Sequence, residues 1–562
     1  MKKTLISSIL LATVLVLCMS TVRNETADMV VINATVMTVN DANPTAESFA
    51  IKDGKFIAVG NNQEIKNYIG ENTKLINAQG KTITPGFIDA HLHVNSIYPE
   101  DHRLGTIDLT PPRVSSMEDL IAILKKKAAI TPKGEWIIGS RYYDTKLGRH
   151  PTRYDLDKVS TEHPIMIRHS SGHVGVVNSY ALAMAKIDKN TPDPAGGAFD
   201  RDENGIPTGM CRESAGRIVS QAGPKLPEAD AKDELEGFLL CFKNFAAKGI
   251  TSIGDAGTDI NKIKLYERAY FAGQPVRVNV MISEKYLNDA KNLIIDNSIP
   301  TTSLRVKTIK VFHGNSLSAR TCWLSKPYEM INPKTGKKDY YGIPPARTQK
   351  QLDSLMLAIH KAGFQIATHS NGDREIPMVL LAYEHALANY PDKNHRFRIE
   401  HCSVVTDSIL NVIKKDGVVI VTHSYEYEHG DKEEEYGAYR WDWMHPTASA
   451  LKMGIPVAGH SDYSVSAADP LLRIQSMVTR KGSNGKVYGE AQKVSVEDAI
   501  KIWTLGSAYA SFEENIKGSI EKGKLADFVI LSADPRKVDP DSIRKIQVLK
   551  TVINGKVVYT SL

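Results

Sequence analysis

Eight β-rich segments separated by helix-like stretches, ionisable residues at the far ends of most of those segments, and strand–turn–strand texture at both termini predict an α/β protein. The expected architecture is a distorted (β/α)8 TIM barrel with a large insertion after its first strand, plus a small β-sandwich built from both chain ends. A chain of 562 residues suits one large domain with an accessory domain.

The chain starts with "MKKTLISSILLATVLVLCMS", two lysines followed by an apolar run from Leu5 to Leu17. The run is short for a membrane span and reads as a signal peptide over residues 1–20. It predicts export, to the periplasm or the medium. Cys18 is a candidate lipid anchor, although the bulky Leu17 stands where a small residue is wanted. No later segment reads as a membrane span.

From residue 28 to 84 the texture is short alternating strands, with Asp53-Gly54 as a hairpin turn. Residues 515–562 look the same, with Asn554-Gly555 as their hairpin dipeptide. An isolated hairpin is marginal in water, so both ends are expected to build one composite β-sandwich.

Between them, residues 85–514 carry the barrel. Its strands are read at 86–94, 250–257, 276–282, 304–312, 364–370, 397–402, 418–424 and 456–462. Helical stretches fill most gaps, such as "TQKQLDSLMLAIHKAG" and "EIPMVLLAYEHALANY". The first gap is far longer than a crossover needs, so residues 95–248 hold an insertion, with Pro- and Gly-rich loops such as "TPDPAGGAFDRDENGIPTG".

Composition narrows the function. A net charge of +6, with no long basic run, gives no reason to invoke nucleic acid. Cys211, Cys241, Cys322 and Cys402 are scattered without CxxC spacing, so neither a disulfide framework nor a cysteine zinc site is indicated.

The chemistry lies at the strand ends. His91 and His93 end the first segment, with Lys310, His369, His401, His423 and Asp462 at the fourth to eighth. Strand ends converge on one barrel face, and His91 and His93, two apart, point to the same side. Any one of these histidines alone is more often a structural group. Unrelated ionisable groups at equivalent strand ends, however, would each carry a burial cost of about 1–3 kcal/mol if unpaired. Histidines with one aspartate suit zinc or a similar divalent ion, which makes hydroxide available from water. Asp462 is then both ligand and candidate general base. Asp89, deeper on the same face, fits an orienting role.

These residues, with "TPGFIDAHLH", "PTRYDLDKVSTEHPIMIRHSSGHVGVVNSYAL", "IEHC", "HSD" and "GSIEKGKLADFVIL", resemble the amidohydrolase superfamily. From about residue 28 onward the chain is similar to its YtcJ-like branch, amidohydrolase family 3, which includes N-substituted formamide deformylase. The resemblance implies metal-site roles for His91, His93, His369, His401 and Asp462. It aligns Lys310 with a lysine that bridges two metals as a carbamate in many relatives. One or two zinc ions are the expected cofactor. Relatives often read K-x-F-x-D-G-S-L-G-S-R-T where this chain has "KVFHGNSLSART", so Gly314, Asn315 and Ser318 depart from the pattern.

The expected function is hydrolysis of a C–N amide-type bond in a small N-substituted substrate by metal-activated hydroxide, with Asp462 as base. His173, His313 and His423 are candidate substrate contacts. The alternatives are a deaminase or a hydrolase of another C–N or ester bond on the same site, or an exported metal-containing binding protein that has lost catalysis. A small-molecule amide is the expected partner, with self-association into a homo-oligomer left open.

Overall fold

The computed structural model describes residues 25–561 except 103, 112, 171, 173, 195, 196, 226, 227, 333 and 334. The leader read over residues 1–20, Cys18 and His173 lie outside the described residues.

Runs rich in valine and isoleucine, buried on both faces, build the central sheet, as expected of parallel strands covered by helices. Its strands are β1 (Phe87–Leu92), β2 (Ile250–Thr258), β3 (Arg277–Ser283) and β4 (Leu304–Phe312). β5 (Gln365–Ser370), β6 (Arg398–His401), β7 (Val419–Thr422) and β8 (Val457–Gly459) complete it. They pair in parallel in chain order from β1 to β8. The seam between β8 and β1 is joined by single bonds. The Ser461 amide donates to Asp89 Oδ1 at 3.0 Å, and the Asp462 amide to the His91 carbonyl at 3.1 Å. The sheet is therefore a nearly closed barrel.

All eight predicted strands are present, but the first ends at Leu92, short of His93, and the last three stop early as well. Left-handed backbone at His401 (φ 72°), Ser424 (φ 62°) and Asp462 (φ 55°) breaks the extended geometry. His423 and Asp462 consequently stand just beyond β7 and β8.

Helices cover the barrel. Gln349–Lys361 starts at a capping box in which Thr348 accepts from the Gln351 amide and the Gln351 side chain answers. Ile376–Asn389 carries Pro377 in its first turn, where a missing N–H costs nothing. Ala231–Ala247 buries Phe238, Phe242 and Phe245 in the same core as the barrel strands.

The segment after β1 holds more than the loops its Pro- and Gly-rich sequence suggests. It forms a six-stranded mixed sheet, in the order 197–201, 207–213, 174–177, 165–169, 137–142, 107–108, with its own core around Leu109, Leu120 and Ile167.

The chain ends meet. One six-stranded sheet takes residues 556–560, 548–553 and 528–531 from the C-terminal end and 82–85, 35–37 and 45–46 from the N-terminal end. A four-stranded sheet of residues 29–77 lies beside it, and Val31, Phe49, Phe56, Ile83, Phe528 and Val552 share one core. Both hairpin dipeptides have positive φ at each residue, 48° and 73° for Asp53-Gly54 and 53° and 70° for Asn554-Gly555. The two turns touch, for a Cβ on Gly54 would fall 2.3 Å from Asn554 Oδ1. These sheets are tied to the barrel by the buried Arg277–Asp527 pair, with Nε to Oδ2 at 2.6 Å and Nη2 to Oδ1 at 2.9 Å.

The four cysteines are free and buried. Among the described residues, no helix is long and apolar enough to cross a membrane.

Candidate metal centre

β1, β4, β5, β6 and β8 each deliver an ionisable residue to one end of the barrel. A cleft opens there, lined by His93, Lys310, His369, His401 and Asp462, with the buried His91 in contact with Lys310. The structure thus brings together all six residues read as ligands.

The ring orientations are set from behind. His91 Nδ1 bonds to Glu400, a carboxylate itself gripped by Arg398, whose Nη2 reaches Oε2 at 2.9 Å and also the Ala90 carbonyl at 2.7 Å. His91 Nε2 then faces Lys310 Nζ at 3.1 Å. His93 Nδ1 meets the Ala256 carbonyl at 2.8 Å, and its Nε2 lies 3.3 Å from Asp462 Oδ1. His369 Nε2 lies 3.1 Å from both the Asn315 carbonyl and Asn371 Nδ2; a carbonyl can only accept, so the proton is assigned to Nε2 and Nδ1 keeps its lone pair. His401 Nδ1 is buried without a partner. The Tyr425 hydroxyl donates to Asp462 Oδ2 at 2.8 Å.

Electrostatics fit a cation. Burial, helped by Lys310, holds His91 well below the usual imidazole range and His369 at about 4. Burial and the neighbouring imidazoles do the same for His401. These rings are neutral near pH 7, the form that ligates metals. Burial brings Lys310 down to about 8, against the pull of Glu400 and Asp462, so the ammonium is easily lost. Burial pushes the Asp462 carboxyl up, but the His93 hydrogen bond and adjacent rings hold it well below the carboxylate range. One donor atom from each of His91, His401 and Asp462 lies within 4.8 Å of the other two. Neutral imidazoles, an ionised carboxylate and an orphaned buried nitrogen are a donor set that fits a divalent metal.

The other predicted residues stand elsewhere. His313 is buried, away from the cleft lining, and burial together with Arg347 puts it at about 4. His423 is fully buried too. Its Nε2 meets Ser466 Oγ at 2.9 Å, and its ring stacks on Tyr425 with centroids 3.3 Å apart. The cleft wall at that point is Tyr425. Asp89 accepts from Ser461 and His91 amides, and burial brings it up to about 7.

Several groups escaped the sequence reading. His460 is buried with both ring nitrogens unpartnered, and its centroid lies 5.1 Å from that of His91 and 5.0 Å from that of His401. Its place two residues before Asp462 in "HSD" was a usable signal, by the same alternation that pairs His91 with His93. Tyr425 follows His423 with that spacing. Glu400 and Arg398 gave no such signal, because their role depends on reaching across the barrel to β1.

Comparison with known proteins agrees with this geometry. The Amidohydrolase family profile matches residues 74–559. The chain is 28% identical to the putative amidohydrolase YtcJ of Bacillus subtilis, over 93% of this chain and 98% of that one. It is 26% identical to N-substituted formamide deformylase of Arthrobacter pascens, over 95% and 98% of the two chains. A crystal structure of an uncharacterized metal-dependent hydrolase from Pyrococcus furiosus superposes with a TM-score of 0.67 at 26% identity, covering 91% of this chain and all of that one.

Proposed function

The chain belongs to the amidohydrolase family, and from that premise we propose that it hydrolyses a C–N amide-type bond in a small N-substituted substrate, with Asp462 as general base. The observation that carries this reading is the convergence of His93, Lys310, His369, His401 and Asp462 on one cleft, with donor atoms of His91, His401 and Asp462 all within 4.8 Å of one another.

His91, His93, His369, His401 and Asp462 would hold the metal, with Lys310 joining them as a free amine or as a carbamate. Zinc suits the imidazole and carboxylate donors best. A divalent cation there supplies polarisation of the amide carbonyl and a lowered pKa for water, from ~15.7 toward ~7. The protein does the rest. Asp462 is ionised at neutral pH, the form that a general base requires. Tyr425 occupies Oδ2, which leaves Oδ1 to take the proton from the attacking water and return it to the leaving amine. Phe312, Leu317 and Val465 give the cleft apolar walls against which an N-substituent packs. The name of the Arthrobacter relative supports an amide of this kind. We further propose that the mature chain works outside the cytoplasm, after loss of the leader.

The test joins elemental analysis of the purified protein to a turnover screen of N-formyl and N-acyl amines. Stoichiometric transition metal with release of free amine is the expected result. A protein without bound metal, or one that binds such amides and never cleaves them, overturns the reading.

A further inference from the structure

Glu375 is fully buried, and among the described residues its carboxylate has no cationic partner. Instead it accepts from four peptide N–H groups on three stretches of chain. Oε1 takes the Asn315 amide at 3.1 Å and the Trp323 amide at 2.7 Å. Oε2 takes the Asn371 amide at 3.2 Å and the Gly372 amide at 3.1 Å. One side chain therefore joins the loop after β4 to the turn after β5.

Those segments meet at a metal-site histidine. The Asn315 carbonyl accepts from His369 Nε2 at 3.1 Å and from Asn371 Nδ2 at 2.9 Å. The Asn371 amide oxygen is held by Ser403 Oγ at 2.6 Å. Glu375 thus fixes both the amide of the residue whose carbonyl orients His369 and the backbone of the asparagine that braces that carbonyl. Burial pushes the carboxyl up to about 7 while the four donors pull it down.

The sequence departure at Gly314 has the same origin. Gly314 has a φ of 106°, and a Cβ there would fall 2.2 Å from Glu375 Oε2. The carboxylate fills the space that a side chain at 314 would need. This loop can keep no aspartate at 314 while Glu375 stands where it does.

We propose that Glu375 is a positioning residue for the metal centre: by tying Asn315, Trp323, Asn371 and Gly372 together, it locks His369 with Nε2 donating and Nδ1 free to ligate. The inference rests on the functional reading above in assuming a metal in the cleft. Groups that orient a metal's ligands typically contribute about 10–100-fold in affinity.

The experiment compares wild type, Glu375→Gln and Glu375→Ala. Gln keeps the volume but turns an NH2 toward donors, so it decides the matter should the alanine variant fail to fold. Zn2+ affinity is measured by competition with a chromogenic chelator, and the His369 tautomer by nitrogen NMR on metal-free protein. The expected result is Zn2+ binding weaker by about tenfold or more, with loss of the single Nε2–H tautomer. Where wild type turns over an amide, kcat should fall while KM holds. Variants that melt earlier but bind Zn2+ as wild type does, with the tautomer intact, overturn the proposal. A wild type that binds no Zn2+ overturns the functional reading instead, and the tautomer measurement still judges Glu375.

Discussion

Tyr425 donates its hydroxyl to Asp462 Oδ2 at 2.8 Å, while Oδ1 of the same carboxylate faces His93 Nε2 at 3.3 Å. The two oxygens of the proposed base therefore have different duties, one held and one working. Removing the holder should leave a base that is present but poorly aimed. Tyr425→Phe is expected to lower kcat by about tenfold or more, from the ~1.5–3 kcal/mol of a hydrogen bond to a charged group, with KM little changed. Asp462→Asn should cost about 10²–10⁴ in kcat. Steady-state kinetics on a responsive amide read both, and equal activity of the two variants with wild type would remove Asp462 from the chemistry.

Metal removal should reveal the strain of the empty donor set. Neutral imidazoles and a buried carboxylate lose their common partner when a chelator strips the site. Activity is expected to vanish, and the thermal midpoint to fall, with about 2.7 kcal/mol at stake for a metal held at 100 times its Kd. Both should return on titration with Zn2+. Lys310→Met, which can form neither an amine ligand nor a carbamate, should carry less metal per chain by elemental analysis. Undiminished metal would place Lys310 outside the ligand set.

Acid should destabilise the fold before the carboxylates titrate. His445 is buried with both ring nitrogens unpartnered, and burial, aided by Arg480, lowers it to about 3. Its folded pKa lies below the unfolded value of about 6.5, so unfolding takes up a proton between the two. The stability this neutral ring contributes is full above about pH 6.5 and drains as pH falls toward 3, at up to about 1.4 kcal/mol per unit. His445→Leu should flatten the fall of the thermal midpoint between pH 7 and 4. A variant with the wild-type slope would show that other groups govern acid unfolding.

The Arg277–Asp527 pair joins the barrel to the terminal sheets in a buried setting, and Asp527 Oδ1 also takes the Asn554 amide at 2.8 Å. Asp527→Ala leaves a buried guanidinium without its anion and should cost about 3–5 kcal/mol in denaturant unfolding. Replacing both members, as Arg277→Met with Asp527→Leu, should recover much of that loss. If the single variant costs no more than the double, the pair is not the tie described.

Much of this was legible in the chain. Short apolar runs and their spacing mark all eight barrel strands, and Asp53-Gly54 and Asn554-Gly555 mark the two hairpins whose turns touch. The six candidate ligands follow from strand-end position. The inserted sheet was not legible, because its strands lie among proline and glycine loops and pair partly out of chain order. His423 and His313 look as exposed as His93 in sequence, yet both are buried away from the cleft lining.

The sequence by itself marked the ionisable residues at the strand ends and the shared face of His91 and His93, since alternation is a local property of extended backbone. Only the tertiary structure decided which ring nitrogen is free and which residue behind it makes it so. Glu400 reaches His91 from β6, the Ala256 carbonyl reaches His93 from β2, and Glu375 reaches His369 through a loop that belongs to β4. The left-handed backbone at His401 and Asp462 likewise has no mark in the sequence. These are contacts between segments far apart in the chain. Their energies depend on burial and on partners brought together only when the barrel closes.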